Sequence, residues 1–421
     1  MTDDLVVLMD EVEVGFMIRD ARGRVRSAYN QRYPATATPL SLSMPAKTYD
    51  LHDASAWMEG LVPDNEQVLE AWALRMDARS SQPFDLLSTD IGWDCAGAVR
   101  FCRPDALASM RGRGGGNEPM SEADVARRLR DLEEDGARWH TDSGGMFSLS
   151  GAQPKIALRL EDGAWGQPWG GVPTTHILKP PRSHLDRRVT TSIHVNEHLC
   201  QEAATIAGIR AARTWLQSFD GQEALVVERF DRLGAHRIHT EDLCQALGVR
   251  PRHKYQYDGG PGPSDVTRLL RDAAQPGDDL RFFDALAYNW LIGATDAHAK
   301  NFGVVLAGQD TTLSPIYDTA SWMPYAIRPE RSRFAMKLGH DYQLLKSHPV
   351  RDWARTARSM GFDPSRAVGR IAALAARLPE AFGTAVSRIG DEAWTGIADH
   401  LAESILAHVA QQSRKLDHDS G

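Results

Sequence analysis

Asp296 and Asn301 stand five positions apart in the stretch TDAHAKN, and Asp318 follows in LSPIYDTAS. That is the acid-to-amide spacing of phosphoryl-transfer loops, in which the aspartate orients or deprotonates an acceptor hydroxyl and the asparagine helps hold a metal. A carboxylate and an amide oxygen suit Mg2+, a hard cation that completes its shell with water and phosphate. Each residue alone also fits a structural role, the aspartates capping turns and Asn301 bonding loop backbone. The three together point to phosphoryl transfer. His298 and Lys300 share the loop. His298 reads as a structural ring or a site group, and Lys300 as a charge that steadies a transferring phosphate or a side chain facing solvent.

A second group of residues suits the phosphates of a nucleotide. In SLSGAQPK, residues 148–155, Gly151 permits close backbone approach and Lys155 supplies positive charge, although the stretch is neither GxxxxGK[ST] nor GxGxxG. Lys179 ends the strand-like run THILKP ahead of a helical pattern, where a phosphate-neutralising lysine is expected, and Glu197 or Glu202 on that helix are candidates to pair with it. VVERF, residues 226–230, reads as a strand joining two lobes, with backbone groups placed to read adenine.

The elements that must position these groups follow from periodicity. Short apolar runs separated by turns in VVLMD, VGFMIRD and VRSAYN predict an antiparallel start, with EQVLEAWALRM helical. Residues 104–120, including RGRGGGNEP, read as a boundary or surface loop before a helix in SEADVARRLRDLEEDG, which Ser121 can cap. From Met146 the pattern is strand, glycine turn, strand, hairpin, strand, helix and two strands, a nucleotide-binding lobe. Beyond Thr240, HTEDLCQALGV, PSDVTRLLRDAA, LRFFDALAYNWLIGA and DPSRAVGRIAALAARL predict helices, with short strands at FGVVLAG and TTLSPIYD forming a hairpin that brings Asp318 back toward Asn301.

Length and composition bound the possibilities. The 421 residues, 42% hydrophobic and 25% charged, suffice for two or three packed units. The formal charge of −8 provides no whole-surface attraction for nucleic acid or an anionic membrane. Cys95, Cys102, Cys200 and Cys244 have no CxxC spacing, so buried thiols are expected rather than disulfides or a zinc cluster. The acidic start and the lack of a long apolar run predict a cytoplasmic protein without a membrane span.

SGAQPK, THILKPP, NEHLC, VVERFDR, HTEDLCQALG, KYQYDGGPG, NWLIGATDAHAKNFG and SPIYDTAS, in that order, closely resemble the HipA family, the toxin kinases of bacterial type II toxin–antitoxin modules. PLSLSMP and GWDCAGAV resemble the small domain that precedes the kinase core in that family. The resemblance implies an α+β chain: a small N-terminal α/β domain (1–105), then a two-lobed atypical protein-kinase-like fold with an N-lobe (106–235) and a mostly helical C-lobe (236–421). It implies an ATP- and Mg2+-dependent serine/threonine protein kinase with Asp296 catalytic and Asn301 and Asp318 binding Mg2+. Gly151, Ala152, Gln153, Lys155, Lys179, Glu228, Phe230, His298 and Lys300 would then line the nucleotide. Ser148 matches the family's autophosphorylated position, with Ser150 an adjacent alternative. Implied partners are a small DNA-binding antitoxin of the HipB type, through which DNA contact is mainly indirect, and a translation-related protein target such as an aminoacyl-tRNA synthetase. A small-molecule phosphotransferase of the same fold and a catalytically silent antitoxin-binding module are the alternatives.

Overall fold

A computed structural model of the chain describes residues 3–46, 50–112, 114–134, 147–149, 151, 153–181, 192–326, 328–343 and 348–418. The chain folds as two compact units of interleaved segments. One comprises Met1–Pro180, Gln217–Arg252 and Val304–Thr311; the other comprises Pro181–Leu216, His253–Gly303 and Thr312–Gly421.

The first unit opens with the expected antiparallel sheet, β1 (Asp3–Met9), β2 (Val12–Arg19), β3 (Val25–Tyr29), β4 (Leu51–Asp53) and β5 (Val99–Cys102), in the order β4-β3-β2-β1-β5. Leu5 through Leu8 of β1, an interior strand between β2 and β5, are all buried, as a strand covered on both faces requires. Helices α1 (Ser55–Glu59), α2 (Glu66–Arg75) and α3 (Pro83–Leu87) contribute Trp57, Trp72 and Phe84 to the core, Trp57 meeting Phe101 of β5 edge-on at 6.1 Å. Residues 104–120 are not simply a loop. They hold α4 (Leu107–Gly112) and β6 (Gly116–Pro119), whose antiparallel pairing with β8 (Ala164–Trp169) orders a glycine-rich stretch that has no strand pattern of its own.

A second sheet runs β10-β11-β9-β7-β8-β6, with β7 (Ile156–Glu161), β9 (His176–Lys179), β10 (Thr214–Phe219) and β11 (Gln222–Glu228). Asp-Gly pairs turn both of its tight hairpins: Asp162 and Gly163 lie at φ 49° and 80°, Asp220 and Gly221 at 44° and 79°. Two successive left-handed residues match the twist of the flanking strands. Helix α5 (Glu122–Glu134) starts as expected, with the Ser121 hydroxyl oxygen accepting from the Asp124 N–H.

After β12 (Arg232–Leu233) and β13 (His236–Arg237), His239–Asp242 forms strand β14 rather than the start of a helix. Asp242 and Gln245 make a reciprocal capping box, each side chain accepting from the other's N–H, so α7 (Leu243–Ala246) can begin only at Leu243. β14 pairs with β15 (Gly303–Ala307), which forms the expected hairpin with β16 (Asp310–Leu313).

The second unit is mostly helical: α6 (Ile193–Ile206), α8 (Pro263–Ala273), α9 (Asp278–Leu291), α10 (Pro349–Ser359), α11 (Pro364–Ser387) and α12 (Glu392–His418), with the hairpin β17 (Arg333–Leu338) and β18 (Asp341–Gln343). The Trp353 ring of α10 meets Trp290 and Phe283 of α9 edge-on at 5.6 and 5.4 Å, fixing the helix that leads into the Asp296 loop. All four cysteines are buried thiols; burial raises Cys95 and Cys200 to about 12 and Cys102 to about 11. No described helix is long and apolar enough to cross a membrane.

Candidate active site

Helix α9 stops where its sequence reaches Gly293, which adopts φ 70°, and the chain turns back as the Ala294 N–H donates to the Asn289 carbonyl at 2.8 Å. A Cβ at Gly293 would lie 2.4 Å from the Met323 side chain, so the close approach as well as the backbone angle requires glycine. The following loop is tied to itself. The His298 N–H and the Asn301 amide nitrogen both donate to the Asp296 carbonyl at 2.8 Å, and the Asn301 N–H donates to the His298 carbonyl at 2.9 Å.

The Asp296 side chain is 64% exposed, and its Oδ1 accepts from the Tyr255 hydroxyl at 2.6 Å. The buried His298 ring lies with Nε2 3.9 Å from Asp296 Oδ2, and its Nδ1 has no hydrogen-bond partner among the described residues. Burial lowers the His298 pKa to about 4 despite the opposing pull of Asp296, so the ring is neutral at physiological pH. Lys300 is buried, not solvent-facing, and its carbonyl accepts from the Tyr317 hydroxyl at 3.0 Å.

Asp318 is exposed and left-handed at φ 56°. Unlike Asp162 and Asp220 it does not sit in a tight Asp-Gly hairpin turn, and uncommon backbone angles held by their surroundings concentrate at functional sites. The chain is fastened on either side of it. The Ile316 N–H donates to the Arg210 carbonyl at 2.8 Å, and Asn196 of α6 binds both backbone groups of Ser321, donating to its carbonyl at 2.8 Å and accepting from its N–H at 3.0 Å. Because the Asn301 amide nitrogen is committed to Asp296, its oxygen is the atom left for a cation. With the Asp318 carboxylate this is an oxygen donor set that fits Mg2+.

In the first unit, Lys179 ends β9 opposite Leu225 of β11, and both Lys179 and Lys155 are buried. Gly151 has φ 108°, and a Cβ there would stand 2.8 Å from Lys155 Nζ. Glycine therefore lets the ammonium lie against the backbone. Gln153 is buried with Nε2 unpartnered among the described residues. Glu228 and Phe230 are half-buried at the end of β11, Glu228 opposite His176. Ser150 and Ala152 lie outside the described residues. Of the two glutamates considered for Lys179, Glu202 instead binds Arg388 at 2.6 Å, while buried Glu197 accepts from the Gln201 amide at 3.2 Å.

Ser148 is fully buried. It forms a parallel bridge with Cys95, donates through its N–H to the Asp94 carbonyl at 2.7 Å and through Oγ to the Leu61 carbonyl at 2.6 Å. Beneath that bridge lies an ion cluster whose composition the sequence reading of VVERF as a plain joining strand missed. Arg229 binds Asp231 bidentately at 2.8–2.9 Å, Arg232 bridges Asp231 and Asp94 at 2.9 Å, and both arginines donate to the Cys95 carbonyl. Burial alone would raise the Asp231 carboxyl, but Arg229 and Arg232 hold it far below the usual range. The paired charges in ERFDR were the available signal; their partner Asp94 is more than 130 residues away.

A model of the HipA-like C-terminal domain matches residues 147–382, and a model of the HipA N-terminal domain matches residues 5–102. The chain belongs to the HipA family. Y4mE of Sinorhizobium fredii, whose name marks it only as a candidate kinase, is 34% identical over 83% of each chain. The serine/threonine-protein kinase toxin HipA of Shewanella oneidensis is 24% identical over 90% of this chain and 88% of its own. The structure of the Shewanella oneidensis HipA, HipB and operator DNA complex matches with a TM-score of 0.82 at 23% identity, covering 98% of both chains, which establishes a HipA-like kinase fold. The α+β architecture expected from the sequence is therefore that of the HipA family.

Proposed function

We propose that this HipA-family chain is an ATP- and Mg2+-dependent serine/threonine protein kinase and the toxin of a type II toxin–antitoxin pair. The observation that carries this is the 296–301 loop, where Asn301 is tied to the backbone of an exposed Asp296 ahead of the left-handed Asp318. Asp296 takes the proton of an acceptor hydroxyl, whose oxygen forms a bond to the γ-phosphorus as the bond to the β-phosphate oxygen breaks and ADP departs. Asn301 and Asp318 hold Mg2+, which supplies neutralising charge to the phosphate oxygens. Lys179 and Lys155 oppose phosphate charge, Gly151, Ala152 and Gln153 cover it, and Glu228 and Phe230 flank the base. His298, neutral and buried, and Lys300 shape the loop beside the nucleotide.

Ser148, with Ser150 as the alternative, is the autophosphorylation site. The neutralising partner is a small DNA-binding antitoxin of the HipB type, in keeping with the Shewanella oneidensis complex. The target is a translation-related protein such as an aminoacyl-tRNA synthetase. The test is phosphosite mass spectrometry of wild type and Asp296→Ala incubated with ATP, Mg2+ and soluble bacterial proteins. Loss of a general base removes about 10²–10⁴ in rate, so new phosphoserine or phosphothreonine is expected only with wild type. Equal phosphorylation by the variant would refute the assignment of Asp296, and none by folded, ATP-binding wild type would refute the protein kinase.

A further inference from the structure

We infer that Tyr255 is the positioning residue of Asp296: its hydroxyl holds Oδ1 so that Oδ2 is the oxygen presented to the acceptor hydroxyl. This rests on the kinase function proposed above. Asp296 is exposed, and an exposed carboxylate samples several rotamers unless a neighbour restrains it. The Tyr255 O–H, donating at 2.6 Å, supplies that restraint, and no described residue donates a hydrogen bond to Oδ2.

The tyrosine is itself held. Its ring stacks on Tyr257 at 5.0 Å and 15° and meets the buried His298 ring edge-on at 5.0 Å and 78°. The segment around it folds tightly because Gly259 takes φ 87° and a Cβ at Gly260 would lie 2.0 Å from the His253 carbonyl oxygen. The Asp258 and Gly260 N–H groups both donate to the Tyr255 carbonyl, at 3.1 and 3.0 Å.

Both loops are referenced to one strand. The Lys337 N–H of β17 donates to Gln256 Oε1 at 2.6 Å, and the Ala335 N–H, two residues earlier, donates to the Thr295 carbonyl at 2.9 Å. Tyr255 and Asp296 are the immediate neighbours of these two anchored residues. The hydroxyl and the carboxylate therefore meet through a frame set before any substrate arrives, the preorganisation that proximity catalysis needs.

The test uses the full chain as wild type, Tyr255→Phe, Tyr257→Phe and Asp296→Ala, with radiolabelled ATP at varied concentration, Mg2+ and soluble bacterial extract corrected for its own kinases. Tyr255→Phe keeps the ring contacts and deletes only the hydroxyl. Misorienting the base should lower apparent kcat on the order of tenfold or more with KM for ATP and melting temperature unchanged. Tyr257→Phe, which keeps the stacked ring and deletes a neighbouring hydroxyl that is not the donor to Asp296, should retain kcat within about threefold of wild type. A Tyr255→Phe enzyme with wild-type kcat overturns the inference. So does one whose KM rises or melting temperature falls in step with kcat, which indicates a structural role, or a Tyr257→Phe enzyme equally impaired, which shows that the effect is not specific to the hydroxyl on Asp296. Transfer by Asp296→Ala at the wild-type rate, or none by wild type, would instead strike the kinase function itself and the inference with it.

Discussion

Asp296 and Ser148 show opposite uses of a hydroxyl-bearing environment. Asp296 is exposed and borrows the Tyr255 hydroxyl to stay oriented; Ser148 spends its own hydroxyl on the Leu61 carbonyl inside the first unit. A phosphate on Ser148 adds about −1.5 to −2 charge and three acceptors, which cannot replace an O–H donor at a fully buried site without moving the segment. Ser148→Ala should cost about 1 kcal/mol, the net worth of one hydrogen bond. Gly151 bridges Pro63 and accepts from the Asp64 N–H at 3.4 Å, and the Ser148 carbonyl accepts from the Ala96 N–H at 3.1 Å, so Ser148→Asp should release the segment from Pro63–Asp64 and from Asp94–Ala96, seen as faster hydrogen exchange and earlier proteolysis there. Protection equal to wild type would contradict this mechanical account. The grouping of Asp296, Asn301 and Asp318 could be proposed from the sequence because the three stand close together in the chain and their residue types suit phosphoryl transfer. Tyr255 could not, because it stands 41 residues before Asp296 and the β17 frame brings them together.

Helix α6 acts on the Asp318 loop through the Asn196 side chain. Asn196 satisfies both the N–H and the carbonyl of Ser321, while the Ser321 hydroxyl donates to the Ile292 carbonyl at 2.5 Å. The same loop thus answers to α6 and to the end of α9. Asn196→Ala leaves two buried backbone groups unpaired, at a cost of about 2 kcal/mol or more. It should lower the melting temperature and raise severalfold the Mg2+ concentration for half-maximal transfer, because Asp318 lies three residues upstream of the released clamp. An unaltered Mg2+ dependence would show that the clamp does not reach Asp318. NEHLC was readable as a helix from its pattern, but its asparagine's partner is 125 residues away and leaves no periodic trace. The same limit explains the elements misread. Pairing with β8 makes β6 a strand, and a capping box, not propensity, decides where α7 begins.

For the whole molecule, the formal charge of −8 conceals ionisable groups whose burial, not their number, sets the response to pH. His239 donates through Nε2 to the Leu40 carbonyl at 2.9 Å and accepts at Nδ1 from the Ala98 N–H, a pattern only the neutral ring can make. Burial lowers His239, His298 and His408 to about 4, and lowers His198 in the same direction. Glu241 shifts the other way. Its Oε1 accepts from the Leu42 N–H at 2.8 Å, its Oε2 has no partner among the described residues, and burial raises it to about 8. Unfolded histidines take a proton near about 6.5, so below that pH the unfolded chain binds more protons and stability falls as pH drops toward 4. Glu241 ionises near 4.5 when unfolded but keeps its proton to about 8 when folded, so its contribution is lost as pH rises through that window. The unfolded histidines are still half protonated at about pH 6.5, so together they outweigh the single glutamate up to about pH 7, and above that Glu241 dominates among these groups. Scanning calorimetry should therefore find the highest melting temperature at about pH 7, with a steeper acid limb and a shallower decline toward pH 8. Glu241→Gln should flatten the alkaline limb and leave the acid limb in place. A wild-type melting temperature that climbs steadily from about pH 7 to 8, or an alkaline limb that survives the substitution, would mean that the buried carboxyl beside Leu42 does not govern the decline.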